Sequence, residues 1–267
     1  MESRSDTESL AMLEDGLRKT MLSTSGAELD AALGELGWAD MLSEMHEAAI
    51  PLVFRLLGET GSHASVLNDV VLLTSGGEPG TTPALPYAGG GWVVWDYAAA
   101  AESSALGGLP LRRVEEGGHL RLPDARRAVG WWLVGSARAM LALARQHALD
   151  RVQFGRPIAG FQAVRHRLAE TLVAIEGAEA TLSLPGADNP DLTALLAKAA
   201  AGKAALTAAK HCQQVLGGIG FTAEHELHHH VKRALVLDGL LGSSKELTRR
   251  AGAGLRARGS SPRLAIL

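Results

Sequence analysis

Two long apolar-periodic runs, residues 130–149 and 163–184, stand on either side of residues 151–162, which read Arg-Val-Gln-Phe-Gly-Arg-Pro-Ile-Ala-Gly-Phe-Gln. Apolar positions recurring at helical spacing commit each run to a helix with one buried face. Gly155 and Pro157 fall between them. Glycine opens backbone conformations closed to other residues and proline ends a helical ladder, so the pair forces a tight connection. That connection exposes Arg151, Gln153, Phe154 and Arg156 at one end of two packed helices. Two cations, an amide and an aromatic ring suit a ligand that carries phosphates and a flat base. A helix hairpin with a merely polar loop has the same spacing, since short polar connections are the norm.

The rest of the chain narrows the choice. With 267 residues, 46% of them hydrophobic, it can bury a real core in one or two domains. Aromatic residues make up only 4%, and Ala and Leu dominate the second half, which favours helix packing. A formal charge of -3 without a strong basic block argues against a nucleic-acid partner held by phosphate neutralisation. The single cysteine, Cys212, excludes an internal disulfide framework and fits a reducing compartment. Residues 1–14 lack the apolar centre of a leader, and no apolar run reads as long enough to span a bilayer. The expectation is a soluble cytoplasmic protein with no membrane partner.

In chain order, residues 1–7 are polar and expected to fray. Leu10, Leu13 and Leu17 recur at helical spacing, and Ser25 with Glu28 reads as a capping box. Leu29, Leu33 and Leu36 then form an apolar stripe that Gly37 and Trp38 close. Residues 45–58 read as another helix, with Ile50, Val53, Phe54 and Leu57 on one face, and 66–73 as the next. Residues 75–91, rich in Gly, Pro and Thr and without a phosphate-loop Lys, read as a linker. Short strands are predicted at 92–97, 105–114 and 118–122. Asp124 is positioned to cap the first long helix, whose buried side would carry Val129, Leu133, Ala137, Met140 and Leu141. A second helix, 161–184, stops at Pro185-Gly186. A third runs from Asp191 to Gly217-Gly218, and two more cover 223–237 and 244–255. This pattern is an up-down bundle.

The stretch at 151–162 has the form Arg-x-x-Phe-Gly-x-x-Ile-x-x-Phe-Gln, and residues 214–221 the form Gln-x-x-Gly-Gly-x-Gly-Phe. Both resemble segments of the acyl-CoA dehydrogenase family, in the family's order. The resemblance is strong over 124–255, fair over 24–73 and nearly absent between. It implies a mainly α chain with an N-terminal helical domain (1–75), a much reduced middle β region (76–123) and a C-terminal up-down helical bundle (124–267). In the family the middle region is a substantial β-domain that cradles the flavin ring; the space for it is far too short here.

Carried over residue by residue, the resemblance makes Arg151, Phe154, Gln162, Gln214, Gly217 and Gly218 contacts to the ADP half of FAD, bound mainly by a neighbouring subunit. The residue types agree. An Arg fork can place two hydrogen bonds on phosphate oxygens where Lys cannot, Phe154 offers a planar face and Gln162 an amide. Gly217 and Gly218 let a ligand approach bare backbone at a helix end. The usual catalytic carboxylate, which removes the α-proton, falls on Leu241. Asp238 is a weak substitute, and the alternative base position falls at Ala125 beside Asp124. The resemblance therefore implies a short subunit of a heteromer, as in actinobacterial enzymes acting on bulky CoA thioesters such as sterol side chains. A second dehydrogenase-like subunit would supply the flavin cradle and the base. Acyl-CoA would be the substrate, 2-enoyl-CoA the product and an electron-transfer flavoprotein the electron acceptor.

Two other readings stand beside it. The bundle could be a non-catalytic scaffold without flavin. His225-Glu226-Leu227-His228-His229 also satisfies His-Glu-x-x-His, so His225 and His229 on one helix face with Glu226 could form a zinc hydrolase site. No third ligand follows, and a solvated helix face fits the His enrichment better. Arg156 reads equally as a solvated loop charge, and His166 as a packing or hydrogen-bonded residue.

Overall fold

The computed structural model describes residues 2–77, 81–98, 106–184 and 189–260, with side chains from residue 9 onward. The first four helices are α1 (Glu2–Ser23), α2 (Ala27–Glu35), α3 (Trp38–Thr60) and α4 (Leu67–Ser75). Their apolar stripes meet, and Leu17, Leu29, Leu33, Val53, Phe54 and Leu57 are fully buried. Several helix ends differ from expectation. The backbone of α1 is helical from Glu2, where fraying was expected. Ser25 does not cap α2. Gly26 does, at φ 68° and with its N–H on the His63 carbonyl, while the Ser25 hydroxyl pairs with His63 Nδ1 at 2.9 Å. Leu36 is a half-exposed C-cap instead of a core residue, and Trp38 opens α3 instead of closing α2. The reason is Gly37, whose φ of 81° turns the chain sharply between the two helices. A bend at Met45 (φ −142°) interrupts the periodicity of α3, which hid its first turns from the sequence reading.

Three antiparallel strands follow in the order β1 (Leu85–Tyr87), β2 (Gly91–Trp95) and β3 (Leu111–Val114), with Leu85 opposite Val93 and Trp92 opposite Val114. β1 lies within what reads as a linker, and 118–122 forms no strand. β1 is only three residues long and has Pro86 at its centre, so it carries no strand signal of its own; besides β2 it also meets a distant part of the chain. The Leu241 N–H donates to the Pro86 carbonyl at 2.8 Å, the Ala88 N–H to Gly239 at 2.9 Å and the Gly89 N–H to Glu246 at 2.9 Å.

The bundle comprises α5 (Pro123–Asp150), α6 (Gln162–Leu182), α7 (Pro190–Leu216), α8 (Leu227–Gly239) and α9 (Ser244–Arg258). Asp124 is not the cap of α5. Pro123 takes the first helical position, and Asp124 sits one residue further in, where its charge still favours the helix start. Pro185-Gly186 lies outside the described residues. α8 begins at Leu227, four residues later than expected, because a turn precedes it. Ser243 and Glu246 make a reciprocal capping box on α9. By length and hydropathy, Pro190–Phe221 could cross a membrane, contrary to the sequence reading, but 72% of that window is buried inside the structure. It is the central helix of the bundle.

One core joins the first helices, the small sheet and the bundle. Trp132 of α5 meets Phe54 of α3 edge-on at 5.9 Å and lies 6.3 Å from Trp95 of β2. The α3–α5 crossing is backbone against backbone. A Cβ on Gly135 would fall on the Arg55 carbonyl, and one on Gly58 on the Trp132 carbonyl. Two glycines therefore set the separation of these helices.

Candidate functional site

The connection after α5 is a miniature hairpin. Val152 pairs with Pro157 and Gln153 with Arg156, and the two turn residues, Phe154 (φ 53°) and Gly155 (φ 79°), are both left-handed. That is the backbone of a two-residue hairpin turn, whose twist matches paired strands. Its consequence is that the Phe154 ring stands 90% exposed, edge-on to Phe161 at 5.9 Å. The Arg156 guanidinium lies over the Phe161 ring at 4.3 Å, so this charge is held in place by cation–π attraction and is not a free loop cation. Arg151 caps α5 in an extended conformation, its carbonyl accepting from the Ile158 N–H at 2.8 Å. Its side chain is exposed and has no carboxylate partner among the described residues. Gln162 opens α6 and lies 3.3 Å from His166 Nε2, which gives His166 its hydrogen-bonded role.

The second segment ends α7. Gln214 is exposed one turn before Gly217, which caps the helix at φ 65°, ψ −141°, a conformation open essentially to glycine. A Cβ at Gly217 or Gly218 would meet nothing within 4 Å, so open space lies above both. α5, α6 and α7 run alternately up and down, which brings the end of α5, the start of α6 and the end of α7 to the same end of the bundle. Electrostatics agree: the His147 imidazole, near the end of α5, is held below its ordinary value by burial, then by His225 and Arg151. Large apolar side chains are exposed in these segments, among them Val152, Phe154, Ile219 and Phe221.

The residues flanking the other candidate chemistry occupy the connection from α8 to α9. Leu241 is 1% exposed, left-handed at φ 59°, and tied to β1. The Asp238 carboxylate accepts from the Ser244 N–H at 3.1 Å and rests against Gly202. Below it Lys198, fully buried, donates to the Asp238 and Gly242 carbonyls at 2.5 and 2.6 Å. Burial brings its amine down to about 7. Arg126, also buried, donates through Nε to the Leu241 carbonyl at 3.3 Å. Sequence reading passed over Lys198 and Arg126 because each lies in an ordinary helical stretch. Their partner is a loop distant in the chain.

The His-Glu-x-x-His arrangement does not form on a helix. His225 lies in the turn before α8, with Nδ1 accepting from the Leu227 N–H at 3.1 Å, so its ring is engaged by the turn itself. Among the described residues no three His, Cys, Asp or Glu side chains stand close enough to hold a metal. The helix that would have aligned His225 with His229 starts too late.

The second half of the chain is an up-down helical bundle, and residues 120–255 match the acyl-CoA dehydrogenase C-terminal domain. The chain belongs to the acyl-CoA dehydrogenase family. It is 41% identical over 117 residues to the acyl-CoA dehydrogenase IpdE2 of Mycobacterium tuberculosis, covering 44% of this chain and 37% of that protein. It is 35% identical over 201 residues to the acyl-CoA dehydrogenase FadE34 of the same organism, covering 67% of this chain and 28% of that protein. The chain thus spans well under half the length of these curated relatives. Its fold is similar to a chain of the Tcur3481-Tcur3483 steroid ACAD, with a TM-score of 0.71 at 19% identity, covering 95% of this chain and 99% of that one.

Proposed function

We propose that this chain is one subunit of a two-component, FAD-dependent acyl-CoA dehydrogenase. In this reading it contributes the ADP-side rim of a flavin site and the surrounding interface. The observation that carries the reading is the exposed end of the bundle. Arg151 has no carboxylate partner among the described residues, Phe154 is held outward by its turn, and Gly217 and Gly218 leave backbone uncovered. An unpaired guanidinium beside bare backbone at a helix end fits a pyrophosphate. Arg151 would hold the diphosphate, Phe154 and Gln162 the adenosine side, and Gln214 with Gly217 and Gly218 the opposite wall. The exposed apolar residues around them suit a partner subunit that excludes water from the contact.

The place where a family member would carry its base argues for a partner in the same way. Leu241 has no proton acceptor, and the Asp238 carboxylate is engaged by the Ser244 N–H at the start of α9. The base and the flavin-ring cradle would come from a second acyl-CoA-dehydrogenase-like subunit, and this chain would orient and shield the cofactor. When bound, FAD supplies the acceptor for the hydride leaving the β-carbon. The joint reaction is α,β-dehydrogenation of an acyl-CoA to a 2-enoyl-CoA, with electrons passed to an electron-transfer flavoprotein in the cytoplasm. The similarity to a steroid dehydrogenase chain supports a bulky acyl group.

Co-expression with a full-length dehydrogenase-like partner tests this. A yellow complex is expected, and Arg151→Ala in that complex should lower its flavin content at least tenfold with the subunits still associated. Full flavin content in the Arg151→Ala complex would favour the scaffold reading.

A further inference from the structure

A groove of about 470 Å³ lies between the middle of α3, the first turns of α5 and the end of α6. None of the flavin-rim residues lines it. Glu47 of α3 and Asp124 of α5 do, and neither carboxylate has an ion pair or hydrogen bond among the described residues. Pro51, one helical turn after Glu47, has no N–H to give the Glu47 carbonyl, so a backbone acceptor is freed beside that carboxylate. Leu182 and Ser183 bring the C-terminal end of α6 to the same space, and a helix carries partial negative charge there. That end has already drawn in one cation. Arg127 Nη2 donates to the Leu182 carbonyl at 2.8 Å, which engages the one guanidinium among the lining residues. Trp131 supplies an indole wall. It is 9% exposed and its Nε1 has no acceptor among the described residues, so the chain itself does not complete this wall. Of the aromatic side chains, Trp attracts cations most strongly. Ile50 and Leu182 make the remaining lining apolar.

We infer that this groove binds a small primary organic ammonium: a charged head shared by Glu47 and Asp124, and an apolar body laid along Trp131, Ile50 and Leu182. An anion is disfavoured, because two carboxylates and a helix C-terminus stand against one engaged guanidinium and one exposed imidazole, His46. A bare metal ion is disfavoured too, since no three His, Cys, Asp or Glu side chains among the described residues stand close enough to hold one. A primary amine suits the groove better than a quaternary one. Its three N–H groups can meet both carboxylates and the freed carbonyl together, as charge-assisted hydrogen bonds. The volume lies within the range of small-molecule sites and admits head and body together.

Calorimetry on the full chain, at constant ionic strength, tests this with 2-phenylethylamine, methylamine, 2-phenylethanol and phenylacetate. 2-Phenylethylamine should bind about tenfold or more tightly than methylamine or 2-phenylethanol, the combined effect of charge-assisted contacts and the indole wall, and phenylacetate should not bind. Glu47→Gln with Asp124→Asn, one exposed and one half-buried position, keeps the shape of both side chains. The pair should weaken 2-phenylethylamine about tenfold or more, while the circular dichroism spectrum stays unchanged. Trp131→Leu removes the ring and should also weaken the amine. Because Trp131 is buried, the carboxylate pair decides if that variant fails to fold. No binding of 2-phenylethylamine, equal binding of 2-phenylethanol or methylamine, or amine binding unmoved by the Glu47 and Asp124 changes would overturn the assignment. Each of these results would leave the flavin reading untouched, since Arg151 is not involved.

Discussion

The buried amine of Lys198 should leave a signature in the pH dependence of stability. Its Nζ is enclosed by α7, α8 and the connection to α9 and donates to two backbone carbonyls. Burial brings it from 10.5 to about 7; Asp238 and Glu246 act upward on it and Arg126 downward. Below about pH 7 the folded and unfolded chains both hold this proton, and the folded state carries the whole cost of a buried charge. Between about 7 and 10.5 the unfolded chain holds a proton that the folded chain lacks, so stability rises with pH. At 1.36 kcal/mol per pH unit the full span is worth roughly 4–5 kcal/mol, an upper bound. Above 10.5 the cost has vanished. The neutral amine still has two hydrogens for its two carbonyls, so the hydrogen bonds survive deprotonation. Lys198→Met keeps the length of the side chain and removes the titration. It also strands two carbonyls, at about 1–3 kcal/mol each. The two effects oppose at neutral pH, so wild type and variant should be similar near pH 7 and diverge above it. Urea unfolding of both chains at pH 7, 8, 9 and 10 measures the difference, in which other titrating groups cancel. Wild type should gain on the variant by roughly 1 kcal/mol per pH unit. Parallel stabilities across that range would refute a buried amine with a depressed value.

Two further substitutions separate fold from site. Gly135→Ala pushes a methyl group into the Arg55 backbone at the α3–α5 crossing, and should cost about 1–3 kcal/mol and lower the thermal midpoint measured by circular dichroism. Gly217→Ala strains a backbone at φ 65°, ψ −141° and should cost about 1–3 kcal/mol. Gly218→Ala, with φ outside the left-handed range and open space above it, should leave the melting temperature unchanged yet reduce flavin content in the two-subunit complex.

What could be read from the sequence was local. The α5–α6 connection was legible because Gly155 and Pro157 punctuate two strongly periodic runs. The end of α7 was legible because Gly217 has no substitute at its φ. Helix starts were less legible, because a start depends on which residue absorbs the turn. Ser25 resembles a cap, but Gly26 takes that place once its N–H is claimed by His63. Asp124 resembles one too, but Pro123 already occupies the first position. The acidic groove was invisible: Glu47 and Pro51, Asp124 and Trp131, and Leu182 come from three separate stretches, each ordinary on its own.

The small sheet shows why shortening the middle of the chain changes more than its size. β1 does not float beside the bundle. Three backbone N–H groups, those of Leu241, Ala88 and Gly89, tie it to the α8–α9 connection. The same connection is held from below by Lys198 and from the side by Arg126. Leu241 is thereby enclosed on every side, and a carboxylate at that position would be buried against apolar neighbours with its backbone already committed. Restoring activity to this chain alone by Leu241→Glu therefore conflicts with its packing: the new charge would have no solvent and no open face from which to reach a thioester. A loop clasped in this way at one end of the bundle, with the other end exposed, is consistent with the proposed sharing of a site between two subunits.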